Sequence, residues 1–100
     1  MIKHIVMWKF KDEGEGKSRE ENMVFVRDSL YALRSVIPEI KSMEIAFDIT
    51  HSEMSADMVL ITEYDSVECM KAYASHPEHM KVSAYVRRVI EDRKVIDFEI

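Results

Sequence analysis

The sequence predicts an α+β domain in which two helical regions cover one face of a four-stranded antiparallel sheet. Three observations carry that prediction. Apolar residues alternate, with period two, in four separate segments, while two others show apolar steps of three and four residues. The segments follow one another as β-α-β-β-α-β, the ferredoxin-like split βαβ plan. No linker, repeat or low-complexity stretch divides the chain, so its 100 residues read as a single domain, 1–100.

The first strand is IKHIVMWKFK, residues 2–11. Successive side chains of a strand point to opposite faces. His4, Val6, Trp8 and Phe10 share one face. Lys3, Ile5, Met7 and Lys9 share the other, which is apolar in its middle and charged at its ends. The loop DEGEG holds both glycines. Ser18 and Glu21 then stand at capping-box spacing and start a helix running to about Val36. Met23, Val26, Leu30, Leu33 and Ile37 form its apolar stripe, and Pro38 ends it.

Residues 41–50 alternate again, with Met43, Ile45, Phe47 and Ile49 on one face. After the polar loop THSEMSAD, a third strand covers 57–64. It sets Met58, Leu60, Thr62 and Tyr64 on one side, Val59 and Ile61 on the other. Asp65 or Ser66 caps a short helix, with Glu68 in its first turn. Pro77 takes the first-turn position of a further helix reaching about Glu91, so the second helical region breaks near His76. KVIDFEI, residues 94–100, is the last strand.

Helices on one side of such a sheet leave its other face open, and an open face is normally polar. Here it carries Ile5, Met7, Val59 and Ile61. Two sheets laid face to face would bury these residues, which predicts a homodimer. The chain is 47% hydrophobic and 33% charged, the balance of a soluble globular protein. A net charge of −5 argues against nucleic acid and anionic membranes as partners. A single cysteine, Cys69, cannot form an internal disulfide, which fits the cytoplasm. Met1 leads directly into a strand pattern, with no sign of a signal peptide and no apolar run of roughly 20 residues to span a bilayer.

The stretch YASHPEHM sets a tyrosine and two histidines around Pro77. His79, Val82, Val86 and Val89 lie on one helical stripe, while Glu78, Lys81, Arg88 and Asp92 lie opposite. His79 therefore sits at the inward end of an apolar stripe, His4 at the end of an apolar strand face, and Tyr73 in the preceding helical turn. All three polar groups can converge between sheet and helices. Val6, Trp8, Leu60, Val82 and Ile90 would line an apolar pocket beside them. A plainer reading of HPEH is a helix start with a satisfied buried histidine, His76 helping to cap the helix. His76, Glu78 and His79 lack the i, i+4 histidine spacing of a helical zinc site, so no metal is predicted. Cys69 reads as a buried thiol, and the eight methionines, spread along the chain, as core filling. No phosphate-cradling glycine loop and no serine elbow is present.

Taken together, KHIVMWKFK, HPEHM and the terminal VIDFEI resemble the stress-responsive A/B barrel domain (Dabb) family of dimeric α/β barrels, over essentially the whole chain. Activities in that family are mostly unassigned. Its best-understood member closes a linear polyketide by intramolecular aldol condensation, without metal or organic cofactor, using two histidines and a tyrosine. By motif position these fall on His4, Tyr73 and His79. The resemblance thus implies an enzyme without cofactors, acting on a small carbonyl or polyketide-like compound. Histidine suits proton abstraction near neutral pH, and a phenol or second imidazole suits the developing oxyanion. Trp8 replaces a smaller aliphatic residue of that member's pocket. Arg27 and Arg93 fall where it has apolar residues, and if either points inward the ligand is anionic. Two other functions stay open: a non-catalytic, stress-related small-molecule-binding or scaffold dimer, and a haem- or oxygen-using relative of the wider barrel superfamily.

Overall fold

The protein is described here by a computed structural model covering residues 1–100. In chain order its elements are β1 (Ile2–Phe10), β2 (Glu13–Gly14), β3 (Lys17–Ser18), α1 (Arg19–Ala32) with a 3-10 turn at Leu33–Ser35, β4 (Ser42–Phe47), β5 (Met58–Tyr64), α2 (Val67–Ser75), α3 (Pro77–Val89) and β6 (Ile90–Glu99). The sheet runs β4-β5-β1-β6 with every pair antiparallel, and β2 and β3 form a separate small hairpin. This is the ferredoxin-like arrangement. No helix is long and apolar enough to cross a membrane.

The inner sheet face carries the core. Val6, Trp8 and Phe10 of β1 and Met58, Leu60 and Tyr64 of β5 are buried, packed with Val26 and Leu30 of α1 and Val86 and Val89 of α3. Each such side chain contributes about 1.5–3 kcal/mol when fully buried, which fixes the helices on this face. Local signals agree with the packing. Ser18 and Glu21 form a reciprocal capping box at the start of α1.

The outer face has no covering element. Register places Ile5 between Ile61 of β5 and Ile96 of β6, and sets Met7 opposite Val59. Met7, Ile96 and Phe98 are all exposed. Charged residues border this patch: Lys3 opposite Glu63, and Lys9 opposite Asp92.

Three boundaries differ from the sequence expectation. Helix α3 stops at Val89, short of Glu91, and passes straight into β6, which starts at Ile90 and not at Lys94. The Lys11 amide donates to the Val89 carbonyl, and Ile90 pairs with Phe10, so the ladder of β1 captures the chain early. Strand β4 ends at Phe47, and Ile49 is 90% exposed. There the Asp48 carboxylate accepts from the Thr50 and His51 amides at 3.1 and 2.6 Å, a side-chain turn that stops the strand. The DEGEG loop folds back as the β2–β3 hairpin, turning through Glu15 and Gly16 at φ 51° and 75°.

Candidate active site

His4 lies on the inner face of β1, opposite Asp97 of β6 and Thr62 of β5. Its Nδ1 is hydrogen-bonded to the Asp97 carboxylate. An ionised carboxylate only accepts, so Nδ1 is the protonated, donating nitrogen of this bond. His79 sits in the first turn of α3, with Nδ1 2.9 Å from the Ala74 carbonyl oxygen. A carbonyl also only accepts, which gives His79 the same tautomer. Burial holds the His79 imidazole below its ordinary pKa, outweighing the Ala74 bond, and neighbouring His4, Arg93 and Arg87 push the same way. His79 is therefore neutral at pH 7.

Tyr73, near the end of α2, is 2% exposed, and its hydroxyl has no hydrogen-bond partner. Burial pushes its phenol pKa up to about 12, so it stays protonated. Its ring centroid is 4.2 Å from that of His79, 5.3 Å from Tyr64 and 6.5 Å from His4. Tyr64, raised above the usual phenol range by burial, stands 6.5 Å from His4 and completes the aromatic cluster.

A cavity of about 330 Å³ lies between the sheet and α3. His4, Tyr73 and His79 all line it, and Val6, Trp8, Leu60, Val82 and Ile90 form apolar wall. The volume falls at the lower end of small-molecule sites, roughly 300–1,000 Å³. The indole Nε1 of Trp8 is buried without a partner. Arg93 lines the cavity, and so does Arg87. Arg27 does not: its guanidinium pairs with Asp28 and lies over the Phe47 ring. His76 is outside the cavity and caps α3, its Nδ1 accepting from the Glu78 amide at 3.1 Å. No three of the His, Cys, Asp and Glu side chains stand close enough together to hold a metal ion.

Sequence reasoning passed over Asp97, Tyr64, Ser83 and Arg87. The alternation of β5 places Tyr64 on the inner face but gives no sign of a role. Pairing β6 against β1 by the alternation of KVIDFEI would have set Asp97 on that face too. Continuing the α3 stripe from His79 by four and four residues reaches Ser83 and Arg87.

Residues 2–100 match the family described as stress responsive A/B barrel domain, Dabb. An uncharacterized protein of Streptomyces coelicolor is 29% identical over 80 residues, 79% of each chain. The olivetolic acid cyclase of Cannabis sativa is 28% identical over 99 residues, 97% of this chain and 94% of the cyclase. Among solved structures, a dimeric protein of ferredoxin-like fold from Bacteroides fragilis is similar with a TM-score of 0.79 at 28% identity, covering 99% of this chain and 95% of that one.

Proposed function

The chain belongs to the stress responsive A/B barrel (Dabb) family, and from that premise we propose that its cavity performs acid–base chemistry, without a cofactor, on a small carbonyl compound. One observation carries this reading: two imidazoles, each with its Nδ1 already hydrogen-bonded, and one protonated phenol border the same cavity. In the proposed step His4 Nε2 takes a proton from the carbon beside a carbonyl. The C–H electrons become the enolate, and Asp97 balances the charge of the resulting imidazolium. The Tyr73 hydroxyl, closed off in the free protein, becomes the donor to the enolate oxygen once the ligand opens the way to it. His79 Nε2 accepts from a ligand hydroxyl and orients it. Attack of the enolate carbon on a second carbonyl forms a C–C bond, and the new alkoxide takes the proton back from His4. Atoms and charge then balance without a further reagent, as in a cyclase. The similarity to olivetolic acid cyclase supports this class of reaction.

The test needs no knowledge of the natural substrate. Small ketones are incubated with the protein in D2O, and loss of the α-proton signal is followed by NMR. Exchange above the buffer rate is expected, reduced roughly 10²-fold in His4→Ala. A panel that exchanges no faster than in buffer would overturn the enzymatic reading. A second reading, a binding dimer without turnover, draws on the Tyr73 hydroxyl, which is closed off from solvent. Saturable ligand binding with no exchange would favour it.

We also infer that two copies associate through the outer sheet face, as supported by its apolar patch and by the dimeric Bacteroides relative. The lone Cys69, half-buried and unpaired, suits a reducing compartment such as the cytoplasm.

A further inference from the structure

We propose that the cavity selects a carbonyl compound that also bears a carboxylate, and that Arg87 and Arg93 hold this carboxylate. The inference deepens the reading above and rests on it, since it assigns the substrate class of the same site.

The charge of the lining is the first argument. The chain carries 19 acidic against 14 basic residues, yet the cavity wall contains two arginines and no carboxylate. Neither arginine has a carboxylate oxygen within 4.0 Å, whereas Arg19, Arg27 and Arg88 pair with Asp12, Asp28 and Glu15. The one hydrogen bond Arg87 makes through its side chain is long, 3.5 Å to Ser83 Oγ, itself on the cavity wall. Asp97, the carboxylate opposite His4 on this face, is engaged by His4. Two unpaired guanidiniums on one concave wall are an anion-binding arrangement, and their planar donors suit a carboxylate bidentately.

Placement is the second argument. Arg93 pairs with Trp8, four residues along β1 from His4, or roughly 13 Å of strand. Arg87 lies eight residues along α3 from His79, or roughly 12 Å of helix. The backbone positions of the two arginines are thus displaced in the same sense from the two histidines, with Val6, Val82 and Val86 between. The arginines enter the cavity from beyond its apolar wall, while their charge still reaches His79. A chain carrying a ketone at one end and a carboxylate at the other matches that placement.

The probes are 6-oxoheptanoate and its methyl ester, titrated against the full chain by NMR. The acid is expected to bind roughly tenfold more tightly than the ester. In the Arg87→Gln/Arg93→Gln double variant, whose folding is checked by circular dichroism, the preference should fall toward one. Equal binding of acid and ester by the wild type, or an undiminished preference in the variant, overturns the proposal. Inorganic phosphate competing as strongly as the oxo acid would also overturn it, by assigning the site to phosphate. The outcomes separate the two readings. Exchange of a neutral ketone without acid preference removes the anion site and leaves the acid–base reading. Acid preference without exchange of any ketone does the reverse.

Discussion

The Tyr73 hydroxyl is buried and has no partner, so its stability role and its chemical role can be separated. A buried polar group without a hydrogen bond costs about 1–3 kcal/mol. Tyr73→Phe removes that group while keeping the ring tilted against His79. The expected result is a urea midpoint unchanged or raised, together with a marked loss of ketone α-proton exchange. A variant that unfolds more easily yet exchanges normally would assign Tyr73 to packing alone. His79 gives a pH test. Its folded pKa lies below the ordinary value near 6.5, so below about pH 6.5 the unfolded chain binds more protons than the folded one. Stability from this residue is complete above that pH and declines on acidification toward the folded value. Urea midpoints between about pH 7.5 and 5 should therefore fall more steeply in the wild type than in His79→Gln. Equal slopes would remove the burial argument. The inward placement of His4 and His79 is legible in the period of their strand and helix, whereas Tyr73 stands out only by its place in the turn before the break and by the family resemblance. Asp97 and Arg87 could not be read so directly. Asp97 gains its meaning only from the register of β6 against β1, and Arg87 looks like any surface residue until the cavity beside α3 exists.

Helix boundaries were legible where side chains write them and obscure where pairing does. HPEH marks a helix start clearly. His76 has extended backbone, φ −63° and ψ 132°, its side chain accepts from the Glu78 amide, and Pro77 is pre-set for the first turn. Replacing His76 by alanine should cost about 0.5–2 kcal/mol of stability in chemical denaturation, the range for losing an N-cap. Because the cap also fixes where α3 begins, and His79 lies in that first turn, the variant should lose exchange activity in part. No change in either measurement would mean that Pro77 alone sets the helix start. The end of α3 carries no such marker. Glu91 and Asp92 are unexceptional in a helix, and no glycine or proline intervenes, so the early switch at Ile90 comes from strand pairing that no local pattern records. Asn22 is a further case: it sits in the capped helix α1 yet is 1% exposed. Its amide nitrogen donates to the Gly14 carbonyl at 3.0 Å, and its oxygen accepts from the Tyr85 hydroxyl at 2.6 Å. It thereby ties the β2–β3 hairpin to α3, a role visible only once all three elements are in place.

At the scale of the molecule, the sheet separates two tasks. Its inner face holds the core and the cavity, and its outer face holds an uncovered apolar patch centred on Ile5, Ile61 and Ile96. The charged border around that patch, with Lys3, Lys9, Glu63 and Asp92, has the pattern of an interface core within a polar rim. The alternation of β1 already pointed to this face, although Ile96 and Phe98 joined it only through the register of β6. Ile5→Lys sets a charge in the middle of the patch without touching the inner core. Light scattering should give twice the 11.8 kDa chain mass for the wild type at micromolar concentration, and a mass near 11.8 kDa for the variant. Circular dichroism should show the variant folded, with a lower and concentration-independent midpoint, because it has lost the stabilisation that association supplies. A wild-type protein of single-chain mass, or an Ile5→Lys variant that remains paired, would reject this interface. His4 projects to the opposite face from Ile5, and the cavity lies on the His4 side of the sheet. Monomeric Ile5→Lys should therefore still bind the oxo acid, with any weakening traceable to a looser sheet and not to a missing group. If dissociation instead abolished binding while the fold persisted, the site would be completed by the second copy, and the cavity would have to be understood as part of the assembled barrel.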